Sequence, residues 1–329
     1  METVTKVHEK FFVEWAKDKE DIIVLSGDLT KFCELKAFEK NIPERFINMG
    51  MAEQNMMSWA GGLAREGYIP MVYTFATFAS RRPLDHVQMS IAYPNLPVKI
   101  FGFLPGITTN GGPTHQAIDD ISIMRAIPSM TVIEVGDVTD IETVLDVIYK
   151  IDGPVYIRSL RSIVPRLFPK DEKFELNKAR VVSEGDDVTV LTSGMMTEEA
   201  IRLIDVLKTK GLKVEHLHIS TLKPFSDMRV VEACKKTKSK VITYENHLTT
   251  GGLGSAVADL MAEHGIGKPL VKIGLADTYA EGSHTRYILE KYKMDWQALL
   301  EKIEEAVGQK FNIKEEDLKP SSVKRIDSV

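Results

Sequence analysis

Cysteine is almost missing from this chain of 329 residues, which has only Cys33 and Cys234. The two are far apart and fall in no metal-ligand spacing, so a disulfide framework and a cysteine-based zinc site are excluded and two reduced thiols remain. Long apolar runs are missing as well. The opening stretch METVTKVHEKFFVEWAKDKED carries charge throughout, which predicts neither a signal peptide nor a transmembrane span and places the chain in the cytoplasm, away from membranes. Nor is there an excess of positive charge. The 42 Lys and Arg stand against 47 Asp and Glu, a net charge of −5, which argues against nucleic acid as a partner. His216 and His218 share one face of a strand by period two, yet no third ligand lies near them in sequence, so no metal is assigned to this chain.

What is present is a regular alternation. DIIVLSG, RFINMG, YIPMVYTF, LPVKIFGF, MTVIEVGD and GPVYIRS are strand-like runs separated by helix-like segments, the pattern of a parallel sheet with helices on both faces. The fold expected is α/β with two doubly wound domains. The first covers residues 1–165, and the polar stretch at 166–186 reads as a linker. A smaller unit at 187–310 repeats the alternation with DVTVLTSG, LKVEHLHI, SKVITYEN and LVKIGLAD. The remaining residues, 311–329, have little to bury and are expected to form a loose tail.

In such a sheet functional side chains gather at the carboxyl ends of the strands. Asp28 in LSGDLT, Phe75 and Phe78 in TFATFASRR, His115 in TTNGGPTHQ, and Arg158 and Arg161 in GPVYIRSLR all map to that edge. Glu53 joins them, at the head of a methionine-rich helix that is otherwise due for burial. A carboxylate there costs several kcal/mol unless it is paired, neutralised or used. Taken singly, each residue has a plain structural reading, such as a first-turn acid, a core aromatic or a turn glycine. Their convergence on one edge is what points to a site.

These residues resemble a family. INMGMAEQNM is similar to the cofactor-activating glutamate motif of transketolases, GGPTHQAIDDISIMRAIPSM to the substrate loop of transketolases and deoxyxylulose phosphate synthases, and YENHLTTGGLGSAVADLMAE to the carboxyl-terminal domain of the thiamine diphosphate superfamily. The resemblance implies a pyrimidine-binding domain followed by a transketolase-type carboxyl-terminal domain. It implies that Glu53 shares a proton with a ring nitrogen of thiamine diphosphate, that Phe78 stacks on the aminopyrimidine with Phe75 close by, and that Asp28 helps hold that end of the cofactor. His115 matches the histidine that contacts the donor-sugar oxygen and assists proton transfer.

One motif of the superfamily is absent. The diphosphate and its Mg2+ or Ca2+ are held in family members by Gly-Asp-Gly and a downstream Asn, whereas this chain has Gly27-Asp28-Leu29, Gly136-Asp137-Val138 and Gly185-Asp186-Asp187. The resemblance therefore implies a split transketolase, with an amino-terminal subunit as partner and an α2β2 assembly. Two alternatives share features: the beta subunit of 2-oxo-acid dehydrogenases has the same layout without the diphosphate motif, and deoxyxylulose phosphate synthase has Thr-His-Gln. The loop Gly-Pro-Thr-His-Gln favours ketose transfer.

Against the common pattern, Gly111 stands where an Asp normally meets a sugar hydroxyl, and Phe103 and Phe32 stand near expected phosphate-binding positions. Arg161, or Arg158 under a shifted alignment, is then the candidate clamp for an anionic tail, since arginine suits phosphate and sulfonate alike. The expected substrate is an atypical sugar, branched, phosphorylated or sulfonated.

Overall fold

A computed structural model describes residues 2–320. Seven strands form the larger sheet. In spatial order they are Thr221–Lys223, Thr131–Glu134, Val155–Ser159, Lys99–Phe103, Ile69–Phe75, Ile22–Ser26 and Phe46–Asn48, all parallel except the first. Period-two alternation gives the inner strands two buried faces. Val24, Met71, Tyr73, Phe101 and Ile157 enter one core, while their neighbours Leu25, Val72, Ile100 and Tyr156 enter the other. This is the doubly wound arrangement expected from the apolar runs. The smaller sheet has the order Leu270–Leu275, Val241–Leu248, Val188–Thr192, Val214–His218 and Arg180–Ser183, parallel but for the last.

Two expectations about connections need correction. The segment 166–186 is not free linker, because Arg180–Ser183 pairs with Val214–His218 as an edge strand of the smaller sheet. The tail is not loose at its start: Phe311, Ile313 and Leu318 are all buried, so its few apolar residues suffice to dock it. Residues 321–329, the rest of that tail, lie outside the described residues.

The two units are joined through their cores. Thr221–Lys223, which follows the smaller sheet's Val214–His218, pairs antiparallel with Thr131–Glu134 of the larger one. Beside this graft lies Arg158. Its guanidinium is fully buried, donating to both carboxylate oxygens of Asp120 at 2.8 and 3.0 Å, to Glu134 Oε1 at 2.5 Å, and to the carbonyls of Ala117 and Asn246 at 2.9 and 3.1 Å. Burial alone would lower its pKa, but Asp120 and Glu134 outweigh that and hold it above the ordinary arginine range. The expectation of Arg158 as a substrate clamp is thereby corrected: every one of its nitrogens is committed inside the protein.

Candidate active site

The chain runs from Ile22–Ser26 outward to Phe46–Asn48, then returns across to Ile69–Phe75 on the other side. Winding reverses at that point, and a crevice opens beyond the carboxyl ends of the two central strands. An open cleft of about 410 Å³ lies there, lined among others by Phe32, Phe75, Gly111, His115 and Arg161.

Asp28 follows the first strand in a left-handed turn, φ 62°, exposed and accepting a hydrogen bond from Asn48 Nδ2 at 3.2 Å. Asn48 Oδ1 in turn accepts from the Gly50 N–H at 3.0 Å, so the turns after both strands are tied together. Three residues on, Glu53 opens the helix Glu53–Arg65, which buries Met56, Met57 and Ala60 beneath it. The carboxylate is 2% exposed and accepts one side-chain bond, from Arg82 Nη1 at 3.0 Å. The first-turn position also places it at the positive end of the helix dipole. Arg82 is a residue that sequence reading missed. Its guanidinium lies 4.0 Å over the Phe78 ring as well as on Glu53, and the signal was its spacing of four from Phe78.

Phe75 and Phe78 stack at 5.7 Å, and the His115 ring meets them edge-on at 6.3 and 5.4 Å. Phe75, Phe78 and His115 therefore form one aromatic group, and Glu53 is connected to it through Arg82. His115 Nδ1 is 2.8 Å from Thr114 Oγ1, which leaves Nε2 as the nitrogen without an assigned protein partner in that pair.

Arg161 borders the cleft on the far side, with its Cζ 5.4 Å from the Phe32 ring. Its Nε has no hydrogen-bond partner among the described residues. Burial lowers its pKa and nearby Glu34 partly restores it. Glu34, also missed in sequence, fixes this corner: its carboxylate accepts from Ser162 N at 2.7 Å and from His8 N at 3.2 Å. Burial pushes the Glu34 pKa up, and those N–H groups pull it back. Phe32 lines the cleft as expected, but Phe103 is wholly buried and packs on His8, so it belongs to the core.

The histidines set aside earlier are accounted for by packing. His218 Nε2 meets Asp140 at 3.1 Å and its Nδ1 meets Thr197 at 2.7 Å, while His216 bonds Thr192 at 2.9 Å. No group of three or more potential metal ligands occurs among the described residues. Among them, too, no helix is long and apolar enough to cross a membrane.

Comparison with known proteins places this geometry. Residues 2–166 match the transketolase pyrimidine binding domain and residues 177–297 the transketolase C-terminal domain. The chain is 41% identical to the 6-deoxy-6-sulfo-D-fructose transketolase subunit SqwH of Clostridium sp. (strain MSTE9), over 85% of this chain and 87% of that one. It is 36% identical to the putative transketolase C-terminal section of Methanocaldococcus jannaschii, over 91% and 95%. Among solved structures, a split gene transketolase described as an inactive beta4 tetramer superposes with a TM-score of 0.82 at 37% identity, covering 93% of this chain and 98% of the other. With matches to both domain families and relatives of 36–41% identity over most of its length, the chain belongs to the transketolase family, as the part made of the pyrimidine-binding and carboxyl-terminal domains.

Proposed function

We propose that this chain is the pyrimidine-holding subunit of a two-chain, thiamine diphosphate-dependent transketolase that moves a two-carbon ketol unit from a ketose to an aldose. The observation that carries this reading is Arg82. A flat guanidinium stacked on Phe78 and donating to buried Glu53 makes the two contacts that an aminopyrimidine ring would require from those side chains, so the residues fit that half of the cofactor. Arg82 is half-exposed on its other side, so in this reading the ring takes its place as the side chain turns toward solvent.

Thiamine diphosphate, when bound, supplies the acidic carbon and the electron sink that carbon–carbon cleavage needs. This chain supplies the surroundings. Glu53 shares a proton with a ring nitrogen in a dry seat, where a carboxyl group is most effective as an acid–base partner. Phe78, backed by Phe75, sets the plane of the ring, and Asp28 borders the same end. His115 reaches the donor oxygen from across the Phe78 edge and holds or passes its proton. Arg161 clamps the anionic tail. The diphosphate and its Mg2+ or Ca2+ belong to the partner subunit in this reading, because the chain lacks Gly-Asp-Gly with a downstream Asn. The same reading has the two kinds of chain assembled as α2β2 in the cytoplasm.

The donor is a ketose with an atypical tail. Arg161 is the one guanidinium among the residues that line the cleft, which Phe32 and Gly111 do not supplement with charge, and similarity to a subunit named for a sulfofructose supports a sulfonate. The test is a donor panel of xylulose 5-phosphate, fructose 6-phosphate and 6-deoxy-6-sulfofructose with the reconstituted enzyme, repeated with Arg161→Ala. Losing a charge-assisted bond worth roughly 1.5–3 kcal/mol should lower kcat/KM for the best donor about 10- to 100-fold. Xylulose 5-phosphate as the best donor, together with an indifferent Arg161→Ala, would sink both the specialist reading and the clamp.

A further inference from the structure

His115 rides on an irregular segment, residues 104–119, between the strand Lys99–Phe103 and the helix Asp120–Ala126. A loop of this length has no ladder to hold it, so its backbone groups must find partners elsewhere. One internal bond, Gly106 N–H to Ala117 O at 2.9 Å, closes its base. Arg81 of the first domain donates to the carbonyls of Pro113 and Gln116 at 3.2 and 3.1 Å and to Asp119, and a second set of tethers comes from the carboxyl-terminal domain. Asn246, in the strand Val241–Leu248 and 1% exposed, accepts from Ile107 N–H at 3.0 Å and donates to Pro105 O at 3.1 Å. Its own carbonyl accepts from Arg158 Nη2, which also holds Ala117 O. Leu248 N–H bonds Ile118 O at 2.9 Å. Gly106 has φ 59°, and a methyl there would lie 2.1 Å from Asn246 Oδ1, so this position requires glycine for Asn246 to dock.

The same domain also reaches the loop's outer part. Gln116, beside His115, donates to Glu281 O at 3.2 Å. Exposed Gly282 comes so near that a methyl on it would stand 2.8 Å from Asn110 O. The loop is thus gripped from two sides by residues that line no part of the cleft.

We propose that the carboxyl-terminal domain aims the donor-binding loop in this protein, with Asn246 as the positioning residue that sets His115. The proposal rests on the reading of His115 as the donor-contacting group. A buried amide with both its functions bonded to one loop turn fixes that turn in a single arrangement, and displacement of a reacting group by about 1 Å costs on the order of 100-fold in rate. Glu53, bonded to Arg82, takes no part in the grip, so cofactor activation and donor cleavage respond differently to its loss.

Asn246→Leu removes both side-chain bonds at similar volume, and Gly282→Ala pushes the loop from an exposed position. Each is assembled with the diphosphate-holding subunit, thiamine diphosphate and Mg2+. Deuterium exchange at the thiazolium carbon should stay within about twofold of the parent, while single-turnover cleavage of 6-deoxy-6-sulfofructose or fructose 6-phosphate falls roughly 10- to 100-fold for Asn246→Leu and several-fold for Gly282→Ala. The loss should appear in kcat more than in KM. In the free chain, amide exchange over residues 104–119 should speed up in both variants. Unchanged cleavage and unchanged loop exchange would overturn the proposal, and so would a parallel fall of thiazolium exchange and cleavage, the mark of a general structural defect. If Asn246→Leu does not fold, Gly282→Ala decides by the same criteria. A parent enzyme that neither exchanges nor cleaves would instead refute the functional reading, and loop exchange in the free chain reads the positioning without any activity.

Discussion

Glu53 pairs a nearly complete burial with a single half-exposed guanidinium, a poor arrangement for stability alone, since a buried charge is strongly stabilised only by several fixed partners. Glu53→Gln should therefore leave folding and assembly intact. It should reduce turnover of the assembled enzyme by at least ~100-fold, the scale of a lost acid–base group, and slow deuterium exchange at the thiazolium carbon to match. Exchange at the parent rate would reduce Glu53 to a helix-end charge. At this scale much of the site was legible. Phe75, Phe78 and His115 stand in local motifs at strand ends and their rings meet in the fold, while Glu53 reaches Phe78 through Arg82. Arg158 was misread because position at a strand end says nothing of whether its partners, Asp120 and Glu134, will enclose it. Asn246 carried no local signal at all: its bonds to Pro105 and Ile107 span more than 130 residues of sequence.

The helix Glu53–Arg65 contains adjacent glycines in opposite environments. A methyl on Gly61 would lie 2.3 Å from Ser90 O, because the helix presses against the wide π-type turn Val87–Ala92, whereas Gly62 has nothing within 4 Å. Overpacking costs about 1–3 kcal/mol, more than the ~1 kcal/mol of helix propensity that alanine brings. Gly61→Ala should lower the midpoint of thermal or urea denaturation, and Gly62→Ala should raise it slightly. Equal effects would show that helix propensity alone governs this element. Strands and helices of this size were readable from apolar period. The edge strand Arg180–Ser183 was not, since it is four residues long and exposes Val181 while burying Ser183, the reverse of the usual alternation, and the docked start of the tail was hidden because three well-spaced apolar residues make no periodic pattern.

For the whole molecule, the proposed division of the cofactor site between two chains makes a thermodynamic prediction. The isolated chain should bind thiamine diphosphate weakly by titration calorimetry, and addition of the diphosphate-holding subunit with Mg2+ should tighten binding by orders of magnitude, because the charged end of the ligand would then be paired. Tight, metal-dependent binding by the lone chain would end the split-site reading. The layout of two α/β units was legible from the repeat of the alternation, but the exchange between them was not. That exchange bears on modularity. The strand Thr221–Lys223 covers the flank of Thr131–Glu134, and Asn246 closes one carbonyl contact of Arg158. Cutting the chain ahead of residue 187 would bare a sheet edge ready to pair with any passing strand and open a buried ion-paired cluster to water. The pyrimidine-binding half is therefore not a detachable part, and a gene that encodes it without its neighbour encodes an aggregation-prone fragment.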